Sequence, residues 1–156
     1  MKKIIYLFSF VFFLSTILIA GEKKIQVIDG DTIHIGKLKY RFFGIDAPET
    51  KQICEKDNIK IQCGVIAKSV LKNKIAGKIP ECIVKDKDRY QRLVAECFIG
   101  KESLSRFMVR EGYAVAYSQY SKDFIEDEKY AKENKLGIWS MNFQMPSEYR
   151  KSLRNK

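Results

Sequence analysis

The apolar residues change period at Gly64, and that change limits the folds open to this chain. Before it they fall in short β-rich runs at residues 24–28, 32–35 and 38–45, the last rich in aromatics. Asp29-Gly30 and Gly36-Lys37 are turn signals between these runs, and Pro48 ends the third. From Gly64 the spacing becomes helical: Ile66 and Val70, with Ala67, Leu71 and Ile75, lie on one face. Gly77 closes that helix. Two more strands follow at 79–84 and 93–98, folded as a hairpin about residues 86–91. A second helix is expected through Leu104, Phe107 and Met108 to Gly112, and a short extended piece at 113–116. A third runs from a Ser121 cap to Gly137, with Phe124, Ile125 and Ala131 facing inward. Residues 51–62 show no periodicity and read as a polar loop.

Three strands, a helix, two strands and then helices match an α+β fold: a five-stranded OB-fold β-barrel with three helices. Spacing alone leaves other α+β folds open. With 156 residues, 46% of them hydrophobic, the chain has room for one domain, placed at 21–140, followed by a basic tail at 141–156.

Ahead of that domain, Lys2 and Lys3 precede an apolar run of 17 residues from Ile4 to Ala20, and the sequence then turns polar at once. This is the layout of a signal peptide over residues 1–20, and export to a periplasm or to the medium is the expectation. The alternative is an uncleaved N-terminal membrane anchor. The net charge is +10, and the chain stays strongly basic if Lys2 and Lys3 leave with the leader. A small basic domain attracts polyanions such as nucleic acid, anionic lipid or cell-wall polymer, and charge alone does not choose between them.

All four cysteines lie after the leader, as an exported disulfide-bonded domain would have them. Folding the 79–99 hairpin about its turn sets Cys82 opposite Cys97, within reach of a bridge. Cys54 and Cys63 then remain to close the short polar loop. A four-cysteine zinc site is the rival, but no pair has the tight C-x₂₋₄-C spacing it uses. The single histidine, His34, sits between Ile33 and Ile35 in an alternating strand, is placed facing solvent and receives no catalytic role.

Three segments concentrate chemistry. Asp29-Gly30-Asp31-Thr32 sets two carboxylates around a glycine turn, where they can present oxygens to a hard cation. Arg41 to Thr50 brackets a strand with Arg41 and Asp46 and carries Glu49 just past Pro48, which keeps the backbone extended. Asp88-Arg89-Tyr90-Gln91-Arg92 puts two arginines at a hairpin turn, where they can grip phosphate bidentately. Alone, each segment reads as an ordinary polar turn. Together they hold what phosphodiester cleavage needs: carboxylates for a cation, a base for water, and guanidinium groups for the transition state.

These motifs resemble the thermonuclease family, of which staphylococcal nuclease is the type. Ile28-Asp29-Gly30-Asp31-Thr32, Arg41 with Asp46-Ala47-Pro48-Glu49-Thr50, Asp88-Arg89-Tyr90-Gln91-Arg92 and Leu136-Gly137-Ile138-Trp139 occur in family order. The cysteines, Ala114-Val115-Ala116-Tyr117 and the closing Phe143, Pro146, Tyr149 and Arg150 look like its exported bacterial branch. The resemblance implies a Ca²⁺-dependent nuclease acting on DNA and RNA, with single-stranded or frayed substrate preferred. Asp31, Asp46 and the Ala47 backbone carbonyl resemble its calcium ligands, with Asp29 and Thr32 supporting them from behind. Glu49 resembles its general base, and Arg41 and Arg92 its phosphate-binding arginines. Tyr117 falls near its nucleotide-pocket tyrosine, with Tyr113 and Tyr120 as rivals. Gln91 stands where the family has glycine, so a positive φ there would strain the turn; Arg89 is then the substitute for Arg92. A non-catalytic OB-fold module binding single strands is the alternative, and the joint presence of Asp31, Arg41, Asp46, Glu49 and Arg92 argues against it. Nothing in the sequence demands a protein partner or more than a monomer.

Overall fold

The computed structural model describes residues 24–155. The leader expected at 1–20 lies outside the described residues. Strands β1 (Ile25–Val27), β2 (Thr32–Ile35) and β3 (Leu38–Phe42) form an antiparallel meander. Alternation drives it: Ile33 and Ile35 point into the core, while His34 between them is half-buried opposite Lys39. The short β4 (Ile45–Asp46) follows.

Residues 51–62, read as a loop, contain a small hairpin of β5 (Cys54–Lys56) and β6 (Ile59–Ile61). Its turn residues Asp57 and Asn58 both take positive φ, at 52° and 63°, as a two-residue type I′ connection requires. Aspartate and asparagine tolerate that conformation best after glycine. Helix α1 (Cys63–Ile75) buries Ala67, Leu71 and Ile75 on the expected face.

The hairpin β7 (Glu81–Lys87) and β8 (Leu93–Ile99) pairs Cys82 with Cys97, and both expected disulfides, Cys82–Cys97 and Cys54–Cys63, are formed. β8 runs parallel to β3, so the sheet order is β1-β2-β3-β8-β7, with the short β9 (Glu102–Ser103) also on β8. Counting the five strands of the main sheet path in chain order, the third and fifth are parallel neighbours, which is the strand order of an OB-fold. No β1–β7 ladder is assigned among the described residues.

Helix α2 (Leu104–Arg110) starts at Ser103, whose Oγ accepts from the Arg106 amide at 3.2 Å. β10 (Val115–Ala116) pairs with β4. Helix α3 (Ile125–Glu133) differs in detail from expectation. Phe124 and Ala131 are buried, but Ile125 is exposed, because the inward position between them belongs to Asp127, ion-paired to Arg106 and Arg110. Ser121 accepts from the Asp123 amide in a turn ahead of the helix instead of capping it.

After a 3₁₀ turn at Gly137–Ser140, the segment expected as a tail forms a fourth helix, α4 (Pro146–Arg154). Proline at its first position, Glu148 in its first turn and Lys151 and Arg154 in its last suit a helix start and its dipole. Two apolar clusters hold these parts together. The larger, including Ile33, Phe42, Leu71, Leu104, Met108 and Phe124, fills the space between sheet and helices. The smaller joins the Cys54–Cys63 bridge, Val115 and Ile138 to Trp139, Phe143 and Met145, and so seats the C-terminal segment beside the β5–β6 hairpin.

Candidate active site

The meander and β4 bring six of the expected residues into one hydrogen-bonded group. The β2–β3 ladder sets Thr32 against Arg41. Gly30 lets the turn before them sit close to its neighbours: a Cβ there would lie 2.7 Å from the Ala47 Cβ and 3.0 Å from that of Ala67. The Asp29 carboxylate fixes this turn by accepting from the Asp31 amide at 3.0 Å. Asp31 Oδ1 accepts from the Thr32 hydroxyl at 3.0 Å and from Arg41, and its Oδ2 accepts from the Ala47 amide at 2.7 Å. Arg41 also donates to Asp46 Oδ1 at 2.7 Å, so one guanidinium bridges two carboxylates that are about 1% and 2% exposed.

Glu49 is at the rim, its side chain about one third exposed. Its backbone is held on both sides. The Gln52 side chain accepts from the Glu49 amide at 3.3 Å, and the Gln52 amide donates to the Glu49 carbonyl at 2.7 Å. Gly64 packs against that carbonyl so closely that a Cβ would stand 1.8 Å from its oxygen. Gln52 is fully buried and donates its other end to the Gln144 carbonyl at 2.6 Å, tying the loop to the C-terminal segment.

A residue that the sequence reading did not single out for the site completes the group. Arg150, from α4, donates to Asp46 Oδ1 and Oδ2 at 2.9 Å each and to Glu49 Oε1 at 3.0 Å. It lies 104 positions from Asp46. Only its place in a closing family motif marked it.

Burial pushes the Asp31 carboxyl up, to about 8, with Asp29 and Asp46 adding to the rise; Arg41 and the Ala47 amide pull the other way. The burial of Arg41 and of Arg150 disfavours their charge, yet the facing carboxylates, Asp31 and Asp46 for the first and Asp46 and Glu49 for the second, hold both guanidinium groups above their ordinary value. Guanidinium groups thus face both buried side chains, Arg41 at Asp31 and Arg41 with Arg150 at Asp46. Among the described residues no three His, Cys, Asp or Glu side chains gather as a cage. What this region offers a cation is a pair of buried carboxylates, with the Ile45 carbonyl beside them on Arg41. Those are hard oxygen donors, the chemistry of calcium sites.

Arg92 and Arg89 are held elsewhere, on the β7–β8 turn. The Arg92 side chain and amide donate to Asp88 at 2.7 and 2.9 Å, and both arginines lie over the Tyr90 ring. Burial disfavours the Asp88 charge, but these hydrogen bonds outweigh it and hold the carboxyl below its ordinary value. Gln91 does take a positive φ, 64°. The turn keeps that conformation because Asp88 ties it from both ends, accepting from the Tyr90 and Arg92 amides.

Of the three tyrosines, Tyr117 follows β10 directly, and its amide donates to the Gly44 carbonyl next to β4. Its ring meets Tyr120 edge-on at 4.8 Å. Tyr120 is 68% exposed, and Tyr113 packs against the main core.

An OB-fold strand order with buried carboxylates bridged by guanidinium groups defines a class of small α+β domain suited to phosphate chemistry. Residues 39–141 match the model of the staphylococcal nuclease homologues. A Haemophilus influenzae protein described as an uncharacterized endonuclease is 31% identical over 83% of this chain and 72% of its own length. An Escherichia coli O157:H7 protein of the same description is 31% identical over 76% of each chain. The staphylococcal-like nuclease CAN1 of Arabidopsis thaliana is 28% identical over 89% of this chain and 41% of its own length. The chain belongs to the staphylococcal nuclease family.

Proposed function

We propose that this protein is an exported, calcium-dependent nuclease that hydrolyses phosphodiester bonds of DNA and RNA, single-stranded or frayed substrate being preferred. Family membership makes it a nuclease-class hydrolase; the metal, the substrate form, the residue roles and export are the proposal. One observation carries it: Asp31, Arg41, Asp46 and Glu49, from two separate stretches, meet in one group with two carboxylates buried and one at the rim.

Asp31, Asp46 and the Ala47 carbonyl are the residues that would hold Ca²⁺, with Asp29 and Thr32 fixing the Asp31 turn behind them. The ion would supply positive charge at the phosphate and favour ionisation of water. Glu49, open to solvent and fixed by Gln52 and Gly64, accepts the proton of the attacking water. Arg41 donates to the phosphoryl oxygens as negative charge grows on them, and Arg92 reaches them from the hairpin turn, with Arg89 as its substitute. Tyr117 supports the nucleotide, Tyr113 and Tyr120 being the alternatives; such rings stack on unpaired bases.

Two disulfides fit an oxidising compartment, and no helix among the described residues is long and apolar enough to cross a membrane. The domain, with α4 packed on it and Arg150 at its site, acts as a monomer.

The test is incubation of the purified, oxidised protein with heat-denatured DNA and with RNA, in calcium, in magnesium and in excess chelator, followed on gels. Degradation in calcium that stops with chelator supports the proposal. Retarded but intact nucleic acid would make the domain a single-strand binding module instead.

A further inference from the structure

We infer that Arg150 is a phosphate-binding residue of this site, converging with Arg41 on the phosphate of the bound strand. The inference rests on the nuclease reading above.

Two guanidinium groups meet at one oxygen. Arg41 and Arg150 donate to the same Asp46 Oδ1, at 2.7 and 2.9 Å. Groups that share one carboxylate oxygen are near enough to share one phosphate, whose planar, bidentate recognition is what the guanidinium fork suits. Arg150 is also the more open of the two, with a side chain 33% exposed against 15% for Arg41, so it faces the side from which a ligand arrives. Arg92, by contrast, gives its side-chain hydrogen bond to Asp88 on the hairpin turn.

The position of Arg150 is built. The Tyr149 hydroxyl donates to the Lys51 carbonyl at 3.2 Å, Gln52 ties Gln144, Glu55 and Asn142 pair through their backbones, and Pro146 is buried. These contacts anchor α4 to the loop that leaves Glu49, so Arg150 is delivered with little entropy left to lose on binding. Any cation held by Asp46 competes with both guanidinium groups for its oxygens and frees their N–H groups for an anion. A residue that only neutralised Asp46 and Glu49 would matter most without metal and least with substrate, and the experiment separates the two roles.

The full-length oxidised protein is compared with Arg150→Ala, Arg150→Lys and Arg154→Ala, the last an exposed arginine on the same helix. Three quantities are read: calcium affinity by calorimetry, binding of a fluorescent phosphorothioate-linked oligothymidylate in calcium by anisotropy, and turnover on denatured DNA. In Arg150→Ala, oligothymidylate affinity is expected to fall about tenfold or more and turnover about a hundredfold, the size of effect of a lost transition-state donor. Calcium affinity is expected to hold or rise, because a competitor for Asp46 has gone. Arg150→Lys should recover only part of both losses, since a point charge cannot replace the fork. Arg154→Ala should bind and turn over as the wild type does.

Wild-type oligothymidylate affinity and turnover in Arg150→Ala, with a lower melting temperature in chelator as its one defect, would overturn the inference and leave Arg150 a counter-charge. Equal weakening in Arg154→Ala would also overturn it, as general basicity. Should Arg150→Ala not fold, full affinity and turnover in Arg150→Lys would do the same. A wild type inactive in calcium would sink the nuclease reading, while the binding comparison still decides whether Arg150 meets phosphate.

Discussion

Glu49 is held at three points: its amide by Gln52, its carbonyl beneath Gly64, and its carboxylate by Arg150. Replacing it by glutamine keeps the shape and both backbone contacts and removes the proton acceptor. Turnover of Glu49→Gln is expected to fall by about 10²–10⁴, the usual worth of a general base, with the melting temperature little changed. Steady-state kinetics beside thermal denaturation check this; a wild-type rate would remove Glu49 from proton transfer. Gln91 is the opposite case, a residue whose backbone is costly where it stands. A side chain at φ 64° is disfavoured by about 1–2 kcal/mol, and glycine returns part of that through its freer unfolded chain. Gln91→Gly should therefore stabilise by about 0.5–1 kcal/mol, a rise of a few degrees in melting temperature, with turnover unchanged because Asp88 still holds Arg92. A fall in melting temperature would mean that the Gln91 side chain makes a contact worth more than the strain.

The two disulfides differ in what they fasten. Cys82–Cys97 closes 15 positions across the β7–β8 ladder, which the strands already hold. Cys54–Cys63 closes 9 positions and joins the β5–β6 hairpin to the start of α1, two residues from Gln52 and next to Gly64. Loop-closure entropy predicts a loss of about 3 kcal/mol for Cys82→Ala/Cys97→Ala, and slightly less for Cys54→Ala/Cys63→Ala. Turnover below the melting transition should survive the first change and fall several-fold in the second, because the loop that fixes Glu49 and meets the C-terminal segment loosens. Equal activity in both variants would show that Glu49 is placed without this bridge. The same contrast explains what was legible in the sequence. The Cys82–Cys97 register, the meander and α1 are local or hairpin-related and repeat with a clear period. The β5–β6 hairpin has exposed residues on both faces and so no alternation to read. Helix α4 owes its place to distant partners, Lys51, Gln52 and Asp46, which no local window contains. Asp31, Arg41, Asp46 and Glu49 could be named because turn and proline chemistry marked their segments. Arg150 could not be placed, since its role depends on the whole chain folding back.

Across the whole molecule, the charge of +10 surrounds a site where three carboxyl groups, Asp31, Asp46 and Glu49, face two guanidinium groups. A polyanion is thus drawn to the surface generally, while entry to the centre depends on guanidinium groups balancing those carboxylates. These two contributions respond differently to salt. Each phosphate neutralised on a single strand releases condensed counterions and adds about −0.7 to the slope of log affinity against log salt. If Arg41, Arg92 and Arg150 converge on one phosphate and the lysines stay solvated, binding of an oligothymidylate in calcium should show a slope of about −0.7. The measurement is anisotropy across a salt series with a phosphorothioate-linked strand, so that cleavage does not intrude. A slope steeper than about −4 would mean that surface lysines carry much of the binding and that the strand lies along the barrel instead of ending in the site. A slope near zero would mean that stacking on the tyrosines holds the strand, and the basic surface would need another polyanion to account for it.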